Sequence, residues 1–156
     1  QLLVRMQHPV DLKVDDSRII IHRGNLLDRA DLYREGDVAI QPSKLEGVGF
    51  NILEPVACGV PTITTDCEPM NEWVSERFLL VKTSFWKKKS FSNKMAGIKH
   101  AFLCSPSVGA LSKAIEWCAS NDLSEISIGQ RAAAVSLLAK DKLRLAWEKE
   151  LQKNML

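Results

Sequence analysis

The 156-residue sequence has no apolar run of 18 residues or more, which excludes a membrane-spanning helix. It has no marked excess of either charge: 21 Lys and Arg stand against 19 Asp and Glu, and a net charge of +2 argues for neither nucleic acid nor a strongly acidic partner. Its four cysteines, Cys58, Cys67, Cys104 and Cys118, form no C-x-x-C pair, and His8, His22 and His100 form no H-x3-H pair. No metal site is therefore expected. The thiols are expected to be reduced and the protein cytoplasmic, with a disulfide as the lesser alternative. No secretory leader is visible, and a start at Gln1 rather than Met predicts a fragment or a processed product. What remains is ordinary globular material: 46 % apolar and 26 % charged residues, enough chain for one domain with a real core.

The informative stretch runs from Asp37 to Asp66, DVAIQPSKLEGVGFNILEPVACGVPTITTD. Val38 to Gln41 reads as a short strand. Glu46-Gly47-Val48-Gly49 reads as a loop in which the backbone turns sharply and can approach a ligand closely. Phe50 to Cys58 reads as a short helix, stopped by Gly59 with Pro61 beyond it, and Thr62 to Thr65 as the next strand. A loop ending at a helix start presents free N–H groups and the positive end of the helix dipole, which favour a phosphate. Glu46 and Glu54 beside such a site suit sugar or ribose hydroxyls, because an ionised carboxylate only accepts hydrogen bonds. The combined reading is a nucleotide-sugar site. The eight-residue spacing alone is a weak signal, since Glu68 and Glu76 repeat it.

The ordered set is stronger. A strand, Pro42-Ser43, Glu46-Gly47, Gly49, Glu54, Ala57-Cys58-Gly59, and Pro61 before a β-branched strand follow one another in fixed order. This resembles the E-x7-E signature region of the family 4 glycosyltransferases, closely over about thirty residues and loosely from Ile19 to Val81. The resemblance implies an α/β class with a Rossmann-like parallel sheet and flanking helices, the C-terminal half of a GT-B fold. Residues 1–156 would form a single, partial nucleotide-sugar-binding domain, incomplete at its N-terminus and lacking the acceptor-binding domain.

By that resemblance Glu46 is the catalytic candidate, contacting the transferred sugar, and Glu54 binds the ribose. Gly47, Val48, Gly49, Phe50, Asn51 and Ile52 complete the donor site, and the diphosphate is held by N–H groups around Gly47 to Ile52. Ser43 and Glu72 are secondary candidates, although Glu72 reads equally well as a carboxylate beside a helix start. The implied activity is that of a retaining, hexosyltransferase-like glycosyltransferase that moves sugar from a nucleotide-diphosphate sugar to a glycan or lipid-linked acceptor. Neither a metal nor another cofactor is implied. No residue matches the family's Arg–Lys pair that neutralises the departing diphosphate, so the isolated chain is expected to be inactive. The alternatives are an epimerase-like GT-B enzyme and a non-catalytic interaction module. One departure is Pro55, where the family usually has Ala: it falls outside the first helical turn and removes an N–H bond.

Elsewhere the reading is plainer. Gln1 to Met6 is the end of a helix or of a strand. Ile19 to His22 reads as a strand buried on both faces, whose partners would lie upstream of Gln1, and His22 as structural. Asp28 is a candidate cap for a short helix closed by Gly36, and Phe78 to Val81 is the last strand. Thr83 to Lys99 reads as a solvated insertion loop. Its Phe85, Trp86, Lys87, Lys88 and Lys89 offer the minority reading of a peripheral membrane contact. Ser105-Pro106 is expected to open one helix, and a Ser127/Gln130 capping box the next, with 140–154 a polar helical tail.

Overall fold

A computed structural model describes residues 1–6, 14–83, 89–93 and 98–139. The chain divides into two compact units, Gln1–Gly36 and Asp37–Leu156. The Phe85, Trp86, Lys87 and Lys88 patch and the polar tail lie outside the described residues.

In the first unit, β1 (Leu2–Met6) pairs in parallel with β2 (Ile19–Arg23), from Leu2 opposite Ile19 to Met6 opposite Arg23. Gln1 to Met6 is thus largely strand, and β2 finds within the chain the neighbour that the sequence placed upstream. Nor is β2 buried on both faces. Ile19 and Ile21 are half-buried while Ile20 is 39 % exposed, the alternation of a strand with one wet face. The turn into β2 is fixed by Asp16, whose carboxylate accepts from the Arg18 N–H at 2.9 Å and from its guanidinium at 2.7 and 3.0 Å. These bonds hold the Asp16 carboxyl below its ordinary value. A 3-10 turn, Arg29–Tyr33, follows Asp28, and Arg5 pairs with Glu35 at 2.6 Å.

The second unit is built on a parallel sheet of β3 (Ala39–Gln41), β4 (Thr62–Thr65) and β5 (Leu80–Val81), in that order. Helix α1 (Phe50–Ala57) makes the crossover from β3 to β4, as parallel strands require. All four residues of β4 are fully buried, three of them threonines. Their hydroxyls would be costly there unpaired. Each has a carbonyl: Thr62 donates to Val60 at 2.9 Å, Thr64 to Gln41 at 3.0 Å and Thr65 to Ser43 at 2.7 Å. β4 is thereby fastened to the end of β3 and the loop that follows it.

Around β4 lies the core. Ile52, Leu53 and Val56 of α1 meet Ile63, Met70, Val74, Leu79 and Val81. Short 3-10 turns at Met70–Glu72 and Arg77–Leu79 carry the chain to β5, which takes only the last two residues of the strand expected at 78–81. Two further helices, α2 (Val108–Ser120) and α3 (Ser124–Leu138), add Ala114, Cys118 and Ala134 to this core. Burial pushes the Cys118 thiol up.

Several local expectations give way to tertiary context. The stretch read as an insertion loop, Thr83 to Lys99, contains β6 (Lys89–Asn93) and the start of β7 (Ile98–Leu103), which pair antiparallel. Ser105-Pro106 does not open α2: Pro106 bridges Thr83, and Ser107 caps the helix, its Oγ accepting from the Ala110 N–H. Ser127 and Gln130 do not cap α3 either. Asp122 accepts from the N–H and hydroxyl of Ser124, which starts the helix one turn earlier. Ser127 instead donates to the Gly59 carbonyl, and Gln130 is buried. Finally, Cys67 and Cys104 form a disulfide, with Cα atoms 6.5 Å apart, where reduced thiols were expected. Their sequence separation of 37 conceals that the end of β7 returns to the loop after β4. No helix among the described residues is long and apolar enough to cross a membrane.

Candidate functional site

The site grows from the carboxyl end of β3. Beyond Gln41 the chain turns at Pro42-Ser43, and the Ser43 N–H closes on the Gln41 carbonyl at 2.8 Å. Thr65 holds the Ser43 carbonyl, and the Cys104 N–H holds that of Lys44 at 2.8 Å. A loop pinned at two successive carbonyls then delivers Glu46, half-buried, to the start of α1.

The helix begins at Gly49, whose φ of 81° is left-handed and costs an L-residue strain. A Cβ at this position would stand 3.3 Å from Ile52 Cδ1 and 3.4 Å from the Trp73 indole nitrogen. That indole closes the loop from the other side, donating to the Val48 carbonyl at 2.7 Å. The Gly49 carbonyl accepts from both Ile52 and Leu53 at 2.9 Å. Ile52, expected in the donor site, has its N–H on the Gly49 carbonyl and its side chain fully buried in the core. Phe50 and Asn51 occupy the first two helical positions, where N–H groups have no carbonyl one turn earlier.

Asn51 joins loop to helix. Its Nδ2 lies 3.0 Å from Glu46 Oε1, 3.2 Å from Ser43 Oγ and 3.5 Å from Gln41 Oε1. Glu54, half-buried, stands three residues further along α1 and so next to Asn51 on the helix surface. In this way the two glutamates come to one side of the helix start. The opposite face, with Ile52, Leu53, Pro55 and Val56, is buried. Phe50 is 63 % exposed and shares a face with Glu54.

Pro55 is indeed inside the helix, yet α1 runs on to Ala57. Bonds from Cys58 to Glu54 and from Val60 to Pro55 close the C-terminal turn. Glu72 is exposed on its 3-10 turn, while its neighbour Met70 is core. Among the predicted residues, Ser43, Glu46, Val48, Gly49, Phe50, Asn51 and Glu54 gather at the helix start. Gly47 lies on the exposed part of the loop, where an added Cβ would meet nothing within 4 Å. Gln41 and Trp73 were missed. Nothing local marks Gln41, and Trp73 was visible only as an apolar residue after Glu72.

An open concavity of about 710 Å³, lined by Phe78, Lys82, Ser107, Lys113 and Trp117 among others, includes none of the predicted site residues. Its aromatic floor is a stacked Phe78–Trp117 pair with centroids 4.8 Å apart. Among the described residues, no three His, Cys, Asp or Glu side chains are grouped to hold a metal ion.

Fold and site together define a Rossmann-like α/β domain with an acidic loop opening onto a helix start at the carboxyl end of a parallel strand. The chain belongs to the family of glycosyl transferases group 1, whose model matches residues 11–134, most of its length. Comparison with curated proteins and with solved structures gave no match. Membership supports glycosyl transfer, with a sugar donor and an acceptor in general.

Proposed function

We propose that this chain is the donor-binding part of a retaining family 4 glycosyltransferase of GT-B architecture, using a nucleotide-diphosphate sugar. The observation that carries this reading is the Glu46–Asn51 bond of 3.0 Å, which ties the acidic loop to the start of α1. It sets a carboxylate for hydroxyls beside N–H groups suited to a diphosphate. In this reading the N–H groups of Phe50 and Asn51, with the helix dipole, hold the leaving diphosphate. Fixed dipoles stabilise the charge that develops there without reorganising. Glu54 accepts from the ribose hydroxyls and Glu46 from those of the sugar. The chemistry needs no protein nucleophile, and the acceptor, a glycan or a lipid-linked sugar, is bound outside these residues.

The test is calorimetry of UDP, GDP and ADP on the 156-residue chain, with Glu54→Ala beside it. One nucleotide should bind in preference to the others, and the variant should bind it about tenfold more weakly, the loss of charge-assisted bonds to two hydroxyls. Equal affinity in the variant would remove Glu54 from the ribose site. Absence of binding to all three by the folded chain would remove the donor-site reading itself.

A further inference from the structure

The Asn51 side chain is arranged at odds with its own needs. Its Nδ2 carries two protons and faces three acceptors: Glu46 Oε1, Ser43 Oγ and Gln41 Oε1. Its Oδ1 is buried without a hydrogen-bond partner among the described residues. Buried polar atoms are nearly always paired, and an orphan calls for an explanation. Packing alone does not supply one, because a leucine of similar size would fill the position and leave no oxygen stranded. The carboxylate supplies it: Glu46 when ionised can only accept, so the amide must turn its nitrogen toward the loop and its oxygen away. Glu46 Oε1 is thereby committed, while Oε2 makes no hydrogen bond among the described residues.

From this we infer that Asn51 is a positioning residue. Its amide fixes the Glu46 carboxylate so that Oε2 meets the hydroxyls of the transferred sugar, and its side chain contacts neither nucleotide nor sugar. The inference rests on the donor-site reading above and adds to it the device that aims the carboxylate.

The experiment compares the wild-type chain with Asn51→Asp and Asn51→Leu. Affinities for UDP, GDP and ADP and for their glucose conjugates are measured at pH 8 and pH 5.5, and melting is followed without ligand between these values. Both variants keep the backbone N–H groups of residues 50 and 51, and Asn51→Asp should in addition weaken binding of the diphosphate itself at pH 8 by like-charge repulsion. They should lose, by about tenfold, the extra affinity that the sugar confers at pH 8. Asn51→Asp should regain part of it at pH 5.5, because two facing carboxylates share a proton that restores the bond. Asn51→Leu has no proton to take up and should regain nothing.

The ligand-free arm has a definite sign. In Asn51→Asp the facing carboxylates bind a proton in the folded state that the unfolded chain lacks, so stability falls as pH rises. The melting deficit of this variant relative to wild type should shrink from pH 8 to pH 5.5. A deficit constant across that range overturns the inference, and so does an equal loss of diphosphate and sugar-conjugate affinity at both pH values. If wild type binds none of the compounds, the donor-site reading falls and the sugar-facing role with it, whereas the melting arm still reports whether Asn51 holds Glu46.

Discussion

The starts of α1 and α2 are built in opposite ways. Ser107 turns its hydroxyl back onto the Ala110 N–H and closes α2 from its own sequence. α1 begins at a glycine that has no side chain to offer, and the one amide in its first turn reaches out to Glu46 instead. α3 follows the pattern of α2, with Asp122 bonded to Ser124 just before the helix. Helix starts leave N–H groups unsatisfied and a partial positive charge exposed. Among the described residues, α2 and α3 each have an N–H at the helix start bonded by a nearby side chain, and α1, beside two glutamates, has none. An open helix start is a structural cost that a purely scaffolding helix has no reason to carry.

The comparison can be broken most severely at Gly49. Gly49→Ala forces an L-residue into φ 81° beside Ile52 and Trp73. It should cost about 1–2 kcal/mol from the backbone alone, read as a lower urea midpoint, and should weaken nucleotide binding as the helix start shifts. Ser107→Ala should cost about 1 kcal/mol by removing the cap while leaving nucleotide affinity unchanged. Changed affinity there would mean that the two helix starts are not separate in function. The smallest effect belongs to Asp122, whose carboxyl is held below its ordinary 3.8, first by the Ser124 hydroxyl and then by its N–H. A lowered folded value contributes stability above the ordinary value and loses it as pH falls through the folded one. Asp122→Ala should therefore melt below wild type at neutral pH, and the gap should close as pH falls below the ordinary 3.8 and through the lowered folded value.

Much of this was legible along the chain. Gly59 and Pro61 mark the end of α1, and the β-branched run Thr62 to Thr65 marks β4, because stop signals and strand propensity act locally. The parallel alternation followed from strands separated by a helix. The site's residues were legible as a set, but their division of labour was not. Asn51 meets Gln41, Ser43 and Glu46 from ten, eight and five residues away, and only the folded crossover brings the four together. The misplaced helix starts fail for a related reason. Ser105-Pro106 and Ser127/Gln130 are sound local patterns, but Pro106 is taken by a bridge to Thr83 and Gln130 by the interior. The β6–β7 pair was hidden by lysines and small polar residues that suit a loop as well as a strand.

The bridge between Thr83 and Pro106 has one more consequence. The chain departs from the sheet after β5 and comes back beside its own point of departure, where the Cys67–Cys104 link and the Cys104–Lys44 bond also converge. The β6–β7 pair lies between Thr83 and Pro106, beyond a closed neck. Closing a longer loop costs only slightly more entropy than closing a shorter one. The excursion is therefore a graft point: it can be lengthened, trimmed or exchanged while β5 and the cap of α2 keep their places. A domain organised this way can acquire a new surface feature without renegotiating its interior.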